Sequence, residues 1–226
     1  MPRQHTDQSY EAELRGLRET LLSMAGQVEA MIAASIEALT ERDPELAART
    51  IELDHAVNGS EMEADQRCLE LLARRQPMAS DLRLITRAMK MVTDLERIGD
   101  LAVNICERAI DLSKAPPLAP FVDIPRMATI AQEMIQGAIE AFVADDPKRA
   151  REVIAQDDEL DDLYHAVFRH LFELMADQPD ALARGIHIQS VAKYLERMGD
   201  HATNLAEQVI FMSGGKDIRH EGKLDD

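Results

Sequence analysis

The sequence says most of itself twice, and that repetition restricts the fold more than any other property. LERIGDLAVNICE at 95–107 recurs as LERMGDHATNLAE at 195–207, with Leu, Glu, Arg, Gly, Asp, Ala, Asn and Glu in the same places. Upstream, Asp43-Pro44 answers to Asp146-Pro147, residues 51–72 answer to 154–175, and Gln76-Pro77 answers to Gln178-Pro179. The distance between copies falls from 103 to 100 residues along the way, so the second copy is slightly shorter near its Gln-Pro turn. Each half is therefore one unit of about 100 residues, the size of a small domain.

Each unit has to be helical. Apolar residues make up 46% of the chain, enough for a core, but aromatics are only 4% and tryptophan is absent. Leu, Ile, Ala, Val and Met with abundant Glu and Arg favour helix over sheet. Asp-Pro sets a capping side chain before a proline at the first helical position, and Gln-Pro interrupts the pattern. Helices are expected over 9–42, 45–75 and 79–113, then 126–144, 148–177 and 181–213. Residues 114–125, within SKAPPLAPFVDIP, are proline-rich and read as a linker. The Gly-led, charged tail 214–226 reads as flexible. Three long antiparallel helices close around one apolar seam. The expected fold is all-α, two tandem pseudo-symmetric three-helix bundles, residues 1–113 and 126–213.

A formal net charge of -17 repels a phosphate backbone, which disfavours direct nucleic-acid binding, so no nucleic-acid partner is expected, and favours metal cations and basic partner surfaces. MPRQHTDQSYEAEL (1–14) has no apolar run, so no secretory signal is expected there, and no apolar stretch is long enough to span a bilayer; a cytoplasmic location is expected. Cys68 and Cys106 each sit among apolar residues at helical spacing and read as small buried thiols.

At about 100° per residue, Met91, Leu95, Ile98, Ala102, Ile105 and Ala109 share one stripe, as do Val191, Leu195, Met198, Ala202, Leu205 and Val209. These are core faces. Glu96, Asp100, Asn104 and Glu107 form a second stripe roughly opposite, with Glu196, Asp200, Asn204 and Glu207 as its copy. Polar residues there are what any bundle helix presents. Two features argue for more. Like charges at i,i+4 are mildly destabilising, by about 0.2–0.5 kcal/mol, yet both halves keep them. In addition, positions equidistant from a hairpin turn lie level. Glu96 and Asp100 then face about residues 57 and 53, next to Asp54 and Asn58. Glu196 and Asp200 face Asp161 and Asp157. Oxygen-bearing side chains thus converge at one level of both hairpins. The candidate ligands are Glu96, Asp100, Asn104, Asp54 and Asn58 in the first half and Glu196, Asp200, Asn204, Asp157 and Asp161 in the second. Oxygen donors without Cys or paired His suit magnesium, calcium, manganese or iron completed by water.

Other readings are weaker. A dinuclear iron oxidase in a helical bundle needs two core-facing Glu-x-x-His pairs. Only Glu52-x-x-His55 is present, its duplicate lacks both residues, and Asp162-x-x-His165 is out of register. No phosphate loop, nucleophile elbow or zinc-protease motif occurs, so no enzyme activity is expected. Glu61 and Asp65 form a further acidic pair, a solvated face or an extra ligand pair, but their duplicates are Tyr164 and Phe168. Gly99 and Gly199 each cost about 1 kcal/mol against alanine in a helix, and their retention points to close helix packing.

ARRQPMASDLRLI (73–85), the twin LERIGDLAVNIC and LERMGDHATNLA, and FMSGGKDIRH (211–220) together resemble the PhoU family of phosphate-transport regulators, over nearly the whole chain. The resemblance implies two three-helix bundles, often as a homodimer. It implies a cytoplasmic negative regulator of phosphate uptake and of the phosphate-starvation response. The implied partners are the ATPase subunit of the phosphate ABC transporter and a phosphate-sensing histidine kinase. It further implies multinuclear iron or zinc sites at repeated E(D)xxxD motifs, which map onto Glu96/Asp100 and Glu196/Asp200 and more loosely onto Asp157/Asp161. Asp54/Asn58 departs by an amide and Tyr164/Phe168 departs entirely, so the motif leaves the number and identity of the ions open. The alternative is a metal-free adaptor whose acidic faces dock basic partner surfaces.

Overall fold

The computed structural model describes residues 8–118 and 123–214. Six long helices carry the fold: α1 (Gln8–Glu41), α2 (Pro44–Arg75), α3 (Ser80–Ser113), α4 (Asp123–Ala144), α5 (Pro147–Asp177) and α6 (Leu182–Gly214). They form an all-α pair of three-helix bundles, α1–α3 and α4–α6, related by the repeat. Helix bounds fall within a few residues of expectation, the largest shift being α4, which begins at Asp123 rather than near 126. The flexible tail expected beyond Gly214 and the centre of the proline-rich linker lie outside the described residues.

The duplicated punctuation acts as it was read. Asp43 Oδ1 accepts from the backbone amides of Glu45 and Leu46, both at 2.9 Å. Asp146 Oδ1 accepts from Lys148 and Arg149 at 2.9 and 3.2 Å. Each cap satisfies amide groups that the first helical turn leaves without partners. The turns before the caps pass through Arg42 and Asp145, at φ 57° and 49°. Arg42 also seals the far end of its bundle, its guanidinium donating to the carbonyls of Leu112 at 2.8 Å and Ser113 at 3.2 Å and to that of Ala115.

All twelve residues assigned to the two apolar stripes are buried. What the stripes do not reveal is that the halves share one core. A single apolar cluster runs from Leu17 and Leu95 in the first bundle to Leu195 and Leu205 in the second. It is continuous because α3 and α6 pack against each other along their lengths, with α1 meeting α4 alongside. Cys68 lies in this core and Cys106 in a small separate cluster with Ala38, Ala47 and Ala109; both are free and buried, and burial pushes both thiols up to about 12.

The α3–α6 seam is antiparallel and polar along one edge. Arg87 donates to Gln208 Oε1 at 2.9 Å and its guanidinium lies 3.5 Å from the centre of the Phe211 ring. His201 Nδ1 is 2.9 Å from Asp94 Oδ1. The repeat places Tyr194 and Leu101 at the matching positions, so this pair occurs once and makes the two halves different.

Candidate metal centre

The hairpin register predicted from equal rise per residue is the register observed. A β-carbon added to Gly99 would lie 3.4 Å from Val57 Cγ1 and 3.8 Å from Asp54 Oδ1. One added to Gly199 would lie 2.5 Å from Leu160 Cδ2 and 3.1 Å from Asp157 Oδ1. The glycine in each copy thus lets the two helices approach at the level of the acids. The requirement is strict in the second hairpin, where a methyl group has no room, and mild in the first.

In the first hairpin, Asn58 Nδ2 donates to Asp54 Oδ2 at 2.7 Å. The other oxygens of this pair, Asp54 Oδ1 and Asn58 Oδ1, are buried without hydrogen-bond partners. Across the hairpin, Arg97 lies 3.5 Å from Glu96 and 3.4 Å from Asp100. Burial raises the Glu96 carboxyl above the ordinary glutamate range. Asp100 pushes it the same way, Arg97 opposes, and Glu61 and Asp54 add to the rise. Glu61 is raised too, by burial and then by Asp65. It belongs to the same electrostatic cluster, and its i,i+4 spacing to Asp65 was the sequence signal for it.

The second hairpin is more strongly coupled. Lys193 Nζ pairs with Glu196 Oε1 at 2.6 Å, while Glu196 Oε2 is buried without a partner. Asp157 is pushed up to about 6, by burial first and then by Asp161, Asp200 and Glu196. Burial and Glu196 raise Asp161 and Asp200 as well, with Lys193 opposing in both cases, His165 also opposing at Asp161 and His201 at Asp200. Burial, and after it the neighbouring carboxylates, thus hold Asp157, Asp161 and Asp200 above the ordinary aspartate range.

The asparagines fare differently from the acids. Asn204 Nδ2 lies 3.4 Å from Asp94 Oδ1, in the α3–α6 seam rather than among the carboxylates of its hairpin. It lines a shallow groove of about 510 Å³ with Asp65, Thr93, Asp94 and Gln208. Asn104 is half-buried one turn beyond Asp100. The polar stripes also lie closer to the core than expected, since only 17% of the Glu96 side chain and 14% of the Glu196 side chain is exposed. Glu52 and His55 are largely exposed, which removes the core-facing pair that an iron oxidase requires.

The donor set has the chemistry of a site for hard cations: carboxylate oxygens, some of them buried and without partners, at a level where mutual repulsion favours a positive charge. Yet among the described residues no three His, Cys, Asp or Glu side chains stand close enough to enclose an ion. The donors fit the group in kind, but not as a closed shell.

The architecture and these hairpins define a class: a duplicated helical bundle with a cluster of acidic side chains on one hairpin of each half. Residues 21–109 and 124–209 each match the PhoU domain, and the chain belongs to the PhoU family. It is 40% identical over 219 residues, 96% of this chain and 90% of the relative, to the phosphate-specific transport system accessory protein PhoU homolog of Pseudomonas aeruginosa. The homolog of the same description from Aquifex aeolicus is 39% identical, covering 92% of this chain and 95% of its own. The crystal structure of PhoU from Pseudomonas aeruginosa superposes with a TM-score of 0.89 at 39% identity, covering 92% of this chain and all of that one. The phosphate transport system regulatory protein PhoU from Streptococcus pneumoniae gives 0.87 at 27% identity, covering 92% of this chain and 98% of its own.

Proposed function

We propose that this chain is an accessory, regulatory protein of a phosphate transport system, a negative regulator of phosphate uptake and of the phosphate-starvation response. It acts by contact with the ATPase subunit of the phosphate ABC transporter and with a phosphate-sensing histidine kinase, as a cytoplasmic homodimer and without catalysis of its own. The observation that carries this reading is the match of both halves to the PhoU domain, together with relatives of that name and description over nearly the full length. Deleting the gene should raise alkaline phosphatase expression in phosphate-replete cells; unchanged expression would overturn the reading.

We further propose that the two hairpins bind iron, zinc, manganese or magnesium through Glu96, Asp100 and Asp54 and through Glu196, Asp200, Asp157 and Asp161. The buried oxygens of Asp54, Asn58 and Glu196 that lack partners support this. Such an ion would supply positive charge to the acids, and Lys193 would release Glu196 as it enters. Elemental analysis of protein purified without chelator should find metal in the wild type and none in the Glu96→Ala/Asp100→Ala/Glu196→Ala/Asp200→Ala variant.

A second reading, an adaptor without metal, is favoured by one observation: Arg97 and Lys193 already sit on these acids, so the faces accept cationic side chains. Wild-type protein free of metal, with partner binding lost in the fourfold variant, would decide for the adaptor.

A further inference from the structure

The repeat breaks at one place along the outer edge of the hairpins. Where the first hairpin continues its acids with Glu61 and Asp65, the second has Tyr164 and Phe168. Tyr164 is held against α6, with Gln189 Nε2 donating to its hydroxyl at 3.2 Å and Lys193 Nζ 5.2 Å from its ring centre. Those contacts identify which edges of α5 and α6 border the groove. Helical spacing continues these edges toward the turn through Phe168 and Phe172 on α5 and through Ile186 and Leu182 on α6. The four side chains are 49%, 64%, 54% and 51% exposed, respectively. In the other direction the same edges carry Asp161 and Asp157 on α5 and Glu196 and Asp200 on α6. A single groove about 20 Å long at helical rise therefore runs from uncovered aromatic and aliphatic side chains to four coupled carboxylates. The first hairpin has Leu69 and Thr86 where the second has Phe172 and Ile186, and it has no aromatic residue there.

Exposed large apolar side chains gathered beside unbalanced charge mark an interaction surface. We propose that this groove docks an amphipathic helix of a partner protein, its apolar face covering Phe168, Phe172, Leu182 and Ile186 and its Arg or Lys residues meeting Asp157, Asp161, Glu196 and Asp200. The proposal rests on the second reading above, in which the chain acts through partners and no ion occupies these acids, and it assigns the contact to one hairpin; metal found in the purified protein overturns that reading, whereas the peptide experiment below tests the groove. Charge complementarity selects the occupant. Among the described residues Lys193 opposes this repulsion, helped by His165 at Asp161 and His201 at Asp200, and a basic helix relieves what they leave. An anionic membrane would be repelled by them. An isologous contact with a second copy would lay the acids of one chain over the acids or the aromatic rings of the other, and neither arrangement compensates them. Apolar anchors spaced along one helical face are the usual terms on which a helix enters a groove.

The test uses the whole chain and a fluorescein-labelled synthetic helical peptide, with leucines along one face of its first half and arginines along the same face of its second. Anisotropy should show saturable binding. Phe168→Ser/Phe172→Ser, and separately Asp161→Asn/Glu196→Gln, should weaken it by about tenfold or more with circular dichroism unchanged. Leu69→Ser/Leu82→Ser on the first hairpin should change it by less than about twofold. A peptide with glutamate in place of arginine should not bind. Absence of saturable binding, or equal loss from the first-hairpin pair, overturns the proposal. So does dissociation of a dimer by the phenylalanine pair in sedimentation, or pelleting of wild type through those residues with phosphatidylglycerol vesicles. In cells, the phenylalanine pair should derepress a phosphate-starvation reporter as gene deletion does. Deletion without effect overturns the regulatory reading, whereas deletion that derepresses beside a silent phenylalanine pair overturns the groove alone.

Discussion

Gly99 and Gly199 occupy the same place in the repeat, yet a methyl group would meet different surroundings at each. At Gly199 it would drive into Leu160 at 2.5 Å, and overpacking of that kind costs about 1–3 kcal/mol. At Gly99 its nearest neighbour is 3.4 Å away, so the gain in helix propensity, about 1 kcal/mol, is retained. Gly199→Ala should lower the midpoint of urea unfolding and Gly99→Ala should leave it unchanged or raise it. Asp157 allows a second prediction at this scale. Its folded pKa of about 6 stands above the ordinary aspartate value of 3.8, so the metal-free native state holds a proton that the unfolded chain has released. Stability should therefore fall as pH rises from about 4 to about 6. Asp157→Asn should flatten that part of the profile and be more stable than wild type at pH 7, read as melting temperature against pH in chelator. The sequence placed these carboxylates level with one another, but not their depth. That depth follows from how closely the helices approach, which Gly199 sets.

At the scale of the elements, helix boundaries follow local chemistry and were largely legible. Asp43 and Asp146 each accept two backbone amides, and replacing either with alanine should cost about 0.5–2 kcal/mol, measurable by chemical denaturation. The two losses should add, since the caps lie in separate bundles and share no partner. The apolar stripes were legible for the same reason: burial of one face imposes a period on the sequence. The polar stripes were less so. Asn104 and Asn204 occupy matching positions, but Asn204 turns to Asp94 across the seam. Helical periodicity reports which direction a residue faces, not what stands opposite. The identity of that neighbour depends on another helix more than 100 residues away in the chain.

For the molecule as a whole, the continuous core means that neither bundle is complete alone. Unfolding in urea should be a single transition coincident by circular dichroism and by a probe placed in either half; two separated transitions would show that the halves are independent. The seam also sets where the repeat diverges. His201 and Asp94 join the bundles on one edge, while the Phe168 and Phe172 edge of the second hairpin is left open to solvent on another. By itself the sequence determined the duplication, the helical class, the helix limits, the core stripes and the level at which the acids meet, because propensity, capping and periodicity act within one element or across one turn. Only the tertiary structure decided that α3 packs on α6 to merge two cores, that Asn204 serves this seam, and that Glu196 and Asp157 are drawn partly out of water. Those outcomes depend on distances between helices remote in sequence, which no local pattern encodes.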